Sequence, residues 1–116
     1  MFTSKIKTTA RLLGVPVVFS RSRDSALQEM RSNLPSLVIV DLNGRSTDPL
    51  GTLAAIRQDP ALAPVRTVGF VSHVQTDLID AAREAGMDEV LARSAFTARL
   101  SEIIAAGAGD RPHDPQ

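Results

Sequence analysis

Short β-branched apolar runs alternate with segments of helical periodicity along nearly the whole chain, and no other feature constrains the fold as strongly. Leu37-Val38-Ile39-Val40 ends in Asp41, and Val65-Arg66-Thr67-Val68-Gly69-Phe70-Val71 ends in Ser72. Both runs are short, rich in Val and bounded by breakers, which predicts buried strands. Pro35 and Pro64 precede them, where a missing amide donor is tolerated. Val15-Pro16-Val17-Val18-Phe19 is a third candidate strand and Glu89-Val90-Leu91-Ala92 a weaker fourth.

The intervening segments predict helices. Phe2, Ile6, Ala10 and Leu13 recur at helical spacing, and Gly14 follows as a stop. Asp24 can cap a helix with Leu27, Met30 and Leu34 on one face. Asp48-Pro49 opens the next, with Asp as cap and Pro at the first helical position, and Leu53 and Ile56 form its apolar side. Val74, Leu78, Ala82 and Ala85 mark a fourth helix that stops at Gly86, and Phe96, Leu100, Ile103 and Ile104 mark a fifth. Strict alternation of this kind predicts a parallel sheet covered by helices on both faces. Residues 1–106 then make one domain, and 107–116, rich in Gly, Pro and Asp, read as a disordered tail.

Composition narrows the function classes. Aromatic residues are 3% of the chain, with no Trp or Tyr, so Leu, Ile, Val and Ala must build the core. Thirteen basic residues balance 13 acidic ones, which gives no general attraction to nucleic acid or anionic lipid. The absence of Cys removes disulfides, thiolate metal sites and a thiol nucleophile. No apolar run approaches the roughly 20 residues of a membrane helix, and the first residues lack a signal-peptide pattern. The default expectation is a cytoplasmic domain.

In an open parallel sheet, ligands bind beyond the carboxyl ends of the strands. Asp41, Ser72 and Arg93 each follow a predicted strand. They would bring a carboxylate, a hydroxyl and a guanidinium to one edge. An Asp can attack a phosphoryl group, and a hydroxyl and a cation can hold the resulting phosphate oxygens. Each residue also has a plainer reading. Asp41 can close an Asx turn, Ser72 or His73 can cap the following helix, and Arg93 can be a surface cation. His73 shows no orienting partner, His113 lies in the tail, and Arg21, Arg23 and Arg31 read as a solvated face. Gly44 and Gly51 do not form a phosphate loop.

The chain resembles the receiver domain of two-component response regulators, the CheY-like superfamily. The resemblance is carried by Pro35-Ser36-Leu37-Val38-Ile39-Val40-Asp41, by Val68-Gly69-Phe70-Val71-Ser72-His73, and by the stretch from Ala82 to Arg93, and it runs from about Ile6 to Ile104. It implies a three-layer α/β/α, flavodoxin-like sheet of strand order 2-1-3-4-5, here missing its first strand. It also implies that Asp41 is the phospho-acceptor, that Ser72 is the switch hydroxyl, and that Arg93 stands where the family has lysine. Val90 falls at the usual switch aromatic, and Ser94 replaces the usual proline.

The family's Mg²⁺ is held partly by an acidic pair after the first strand, and nothing in the sequence matches strand or pair. The expectation is therefore a degenerate receiver, or pseudo-receiver, that binds no metal unless an upstream segment supplies the pair, with phosphorylation of Asp41 possible but not favoured. Arg for Lys strengthens that expectation, because a planar fork does not replace a point ammonium. A start upstream of Met1 is the preferred explanation for the missing strand, and the domain as given is expected to be marginal or prone to aggregate. The implied partner is a histidine kinase or output protein, engaged through the face from Val74 to Ile104. Two rival readings follow from the same residues. One is a phosphatase with an aspartate nucleophile, opposed by Asn43 where a second carboxylate would act as acid and base. The other is a flavodoxin-like ligand binder, opposed by the lack of a Gly-rich loop and of aromatics to stack on a ring.

Overall fold

The computed structural model describes residues 2–20, 22–44, 48–72 and 76–109. Among them, three strands lie side by side in one parallel sheet: β1 (Leu37–Asp41), β2 (Arg66–Val71) and β3 (Glu89–Ala92). The helices are α1 (Phe2–Leu13), α2 (Arg23–Ser32), α3 (Pro49–Gln58), α4 (Thr76–Glu84), α5 (Arg93–Ala98) and α6 (Leu100–Gly109).

The two-residue period of the strands sorts their side chains into two cores. Leu37, Ile39, Val68, Phe70 and Leu91 pack with Ile6 and Ala10 of α1, Phe96 of α5, and Leu100, Ile103 and Ile104 of α6. The Phe70 and Phe96 rings stack with centroids 4.8 Å apart. On the other face, Val38, Val40, Val71 and Val90 meet Leu53 of α3 and Ala82 of α4, together with Leu42 and Met87. Strands covered on both sides read as continuous apolar runs, which is why the sequence showed them without alternation. Gly69 keeps the middle of β2 open on this face, since a Cβ there would run into Met87 Sδ. A further cluster of Leu27, Met30, Ile56 and Leu62 fastens α2 to α3.

The helix ends follow from backbone chemistry. At the end of α1, Gly14 adopts φ 71°; its N–H donates to Arg11 O (3.1 Å), and the Val15 N–H donates to Ala10 O (2.9 Å). Gly86, at φ 105°, closes α4 with the same pair of bonds, to Arg83 O and Ala82 O. These are glycine-terminated caps in which the left-handed residue turns spent carbonyls onto new donors.

Several local expectations are corrected. Val15–Phe19 forms no strand; Val17, Val18 and Phe19 are 40%, 64% and 40% exposed. Its β-branched composition is not sufficient, because a strand also needs a partner, and among the described residues the segment pairs with none of the three strands. The cap of α2 is Ser22, whose Oγ accepts from the Ser25 N–H at 3.1 Å; Asp24 sits in the first turn. Leu34 lies past the end of that helix and is 61% exposed, and Leu13 is likewise 43% exposed. Asp48 does precede Pro49, but in a left-handed conformation with no capping bond from its side chain. The fifth helix is two helices divided at Arg99, whose backbone N–H reaches Ala95 O and Phe96 O while its guanidinium holds Glu89 at 2.8 Å. The second of them continues to Gly109, three residues into the span expected as tail; residues 110–116 lie outside the described residues.

The α2–α3 contact carries a charge-dependent bond. Arg31 Nε donates to Asp59 Oδ2 at 3.0 Å, and the Ala61 N–H donates to Asp59 Oδ1 at 3.0 Å. The hydrogen bond from Arg31 first, and that from Ala61 second, hold the Asp59 carboxyl below its ordinary 3.8. Its folded value is depressed, so its contribution to stability is complete above pH 3.8 and is lost as the pH falls through the folded value. Asp59→Asn is expected to flatten the acid limb of a stability–pH curve below that point, leaving the neutral plateau parallel to the parent. An unchanged limb would contradict this assignment.

Candidate functional site

Parallel strands point their carboxyl ends the same way, so the residues after them share a rim. Asp41 is the last residue of β1, Ser72 the first beyond β2, and Arg93 the first beyond β3 and the first of α5. The register aligns Asp41 with Phe70 and Phe70 with Leu91, which puts Ser72 and Arg93 two residues farther along than the rung of Asp41. All three are solvent-exposed. The three candidate residues thus occupy neighbouring positions on one edge of the sheet.

Hydrogen bonds tie two of them together. The ladder continues one step past Asp41, with the Leu42 N–H donating to Phe70 O at 3.0 Å. The Asn43 N–H then donates to Asp41 Oδ1 at 2.9 Å, and the Gly44 N–H donates to Asp41 O at 3.0 Å. This is an Asx turn, the plainer role foreseen for Asp41, and it coexists with the rim position. Asn43 Oδ1 accepts the Ser72 N–H at 2.6 Å, bridging the ends of β1 and β2. Asn43 thus belongs to the rim as a hydrogen-bonding link. The sequence signal was its place two residues after a strand-ending Asp, a spacing that allows the turn. Arg93 is placed by the strand it follows, and its carbonyl accepts from Thr97 Oγ1 at 2.8 Å. Val90 is buried in the α3–α4 core, where the resemblance suggests a switch aromatic. His73 and Val74 lie outside the described residues.

Asp48, the next carboxylate along the chain after Asp41, is held by Arg23 at 3.3 Å. Mg²⁺ requires near-octahedral oxygen ligands, usually including one or two carboxylates. Among the described residues no group of three or more His, Cys, Asp or Glu side chains gathers to supply them. Asp41 already accepts a bond from Asn43. A surface hollow of about 460 Å³ is lined by Asp24, Leu27, Gln28, Arg31 and Ser32, all of α2, and includes none of the rim residues.

At the opposite ends of the strands lies a network the sequence did not disclose. The Arg57 guanidinium donates to Gly86 O (2.9 Å), Val65 O (2.9 Å), Ala63 O, Thr67 Oγ1 (2.9 Å) and Asp88 Oδ2 (3.1 Å). Asp88 Oδ2 also accepts the Thr67 N–H at 2.8 Å. Thr67 is fully buried, and this network satisfies its hydroxyl.

Comparisons with known proteins place this arrangement. Over 98% of its length the chain superposes on 88% of the phosphorylated cyanobacterial phytochrome response regulator RcpA, with a TM-score of 0.75 at 21% identity. It likewise matches the signal receiver domain of the response regulator NarL from Mycobacterium tuberculosis, with a TM-score of 0.77 at 20% identity, covering 95% of this chain and 89% of that one. The fold is that of a response regulator receiver domain. Asp41, Ser72 and Arg93 lie at the carboxyl ends of the three strands of that fold. A curated relative, the transcriptional activator protein ExaE of Pseudomonas putida, is 32% identical over 93 residues, or 80% of this chain. The chain spans 42% of that relative's length. No family model matches the sequence.

Proposed function

We infer that this chain is a signalling receiver module that acts through protein contacts and does not turn over a substrate. One observation carries the reading: a carboxylate, a hydroxyl and a guanidinium follow three adjacent parallel strands of a receiver fold, at Asp41, Ser72 and Arg93. Asp41 holds the phospho-acceptor position, and Ser72 and Arg93 hold the positions that would contact a phosphoryl group. The reading is of a degenerate receiver. Charge developing on a transferred phosphoryl group needs a cation beside the acceptor. The described side chains do not assemble a metal site, and an arginine stands in place of the lysine. Its partner is a histidine kinase or an output protein, contacted on the face built from α4, β3, α5 and α6. The match to a transcriptional activator is compatible with an output of that kind.

The test is direct. The protein is incubated with acetyl phosphate and Mg²⁺, and its intact mass is measured beside an Asp41→Asn variant. Little or no phosphoryl increment is expected in either. Stoichiometric labelling of the parent that disappears in Asp41→Asn would remove degeneracy from the reading and make the chain an ordinary phospho-receiver. Labelling that persists in the variant would remove Asp41 from the acceptor role.

A further inference from the structure

The ends of β1 and β2 are joined by one residue that touches both candidate residues, Asp41 through its backbone and Ser72 through its side chain. Asn43 gives its backbone N–H to Asp41 Oδ1 (2.9 Å) and takes the Ser72 N–H on its own Oδ1 (2.6 Å). Both Asp41 and Ser72 are exposed, so water could satisfy the same groups. The bonds are not forced by burial. They hold together the first residues beyond β1 and β2.

We propose that Asn43 is a positioning residue that couples the Asp41 carboxylate to Ser72, the first residue beyond β2. This proposal rests on the reading of the rim as a receiver site and names how that site is regulated. The ionised carboxylate accepts the Asn43 N–H in a charge-assisted bond, stronger than a neutral one. That bond fixes the Asx turn, and the turn aims the Asn43 amide at Ser72. The amide oxygen thereby holds Ser72 without any phosphoryl group. Neutralising Asp41 weakens the first bond, frees the turn and releases Ser72. The coupling is reciprocal: whatever pulls Ser72 away loosens the turn at Asp41. A protein with this link keeps Ser72 positioned in the resting state, as a module that signals by contact alone requires.

Amide hydrogen exchange, resolved by residue with NMR on the full chain, reads the link. Asn43→Ala is expected to speed exchange of the Ser72 amide by about tenfold, the factor one ordinary hydrogen bond supplies. The amides of Phe70 and Val71, inside β2, are expected to keep their parent rates and so report that the fold is intact. Asp41→Asn is expected to speed Ser72 in the same direction by a smaller factor. In the Asn43→Ala background Asp41→Asn should add nothing further, because the link is already cut. Asn43→Asp keeps an oxygen acceptor at the same place and should restore slow exchange. Additive effects of the two substitutions, or a Ser72 rate that none of them moves, would overturn the proposal. Neither result depends on phosphoryl transfer, so the mass measurement can fail while the link stands, and the link can fail while the receiver reading stands.

Discussion

Replacing Phe96 with alanine is expected to destabilise the domain by about 3–5 kcal/mol, the range found for truncating a fully buried aromatic ring. Phe96 is fully buried, stacks on Phe70 at 4.8 Å, and lies in the core that joins the sheet to α1 and α6. The loss combines the apolar area returned to water, the ring–ring contact, and a cavity that the rigid strand beneath cannot close. Equilibrium urea unfolding measures it as a fall in midpoint at unchanged slope. Phe96→Leu refills most of the volume and should cost clearly less. Because α5 begins at Arg93, three residues earlier, the same ring also seats the helix that carries the rim guanidinium. A Phe96→Ala protein with parent stability would mean that this face of the sheet is not the packed core described here.

The second large effect is expected at Arg57. Arg57→Met keeps most of the aliphatic stem and removes every donor, and a loss of about 3 kcal/mol is expected. The carbonyls of Ala63, Val65 and Gly86 and the buried Thr67 hydroxyl all lose a charged partner at once. Asp88 is partly open to solvent and is rehydrated in the variant, which keeps the penalty below that of a sealed ion pair. For a domain of this length the melting temperature should drop by roughly 10–15 °C. Arg57→Lys should recover little of it, since one ammonium cannot reach the acceptors a planar guanidinium spans. A drop of only a degree or two would show that water replaces the guanidinium without penalty.

Much of this architecture was legible from the chain because burial on both faces leaves a strong local mark. Leu37–Val40 is a solid apolar run and Thr67–Val71 is buried throughout, broken only by Gly69, and the glycines at 14 and 86 end their helices where the pattern said they should. The rim was legible for a topological reason: in a parallel sheet, whatever follows a strand reaches the same edge. Val15–Phe19 was misread because strand composition records side-chain preference, while a strand also needs a neighbour with which to exchange hydrogen bonds. The break at Arg99 was hidden because Phe96, Leu100, Ile103 and Ile104 keep their buried spacing across it. Arg57 was invisible because its partners come from two separate stretches, 63–67 and 86–88, and nothing in one dimension distinguishes a clamp from a solvated cation. Asn43 was read only as a missing carboxylate, and its amide turned out to be the bridge.

The composition gives the stacked ring pair one more consequence, a spectroscopic one. The chain has four Phe and no Trp or Tyr, and Phe70 and Phe96 lie locked together in the interior while Phe19 is 40% exposed. Near-ultraviolet circular dichroism arises from aromatic rings held in fixed asymmetric surroundings. The signal of this protein should therefore report on the α1–α5–α6 side of the sheet and be nearly blind to the opposite side. A ligand or partner that loosened only the α3–α4 layer would pass unseen in that band, and heteronuclear labels on Val or Leu methyl groups would be needed to register it.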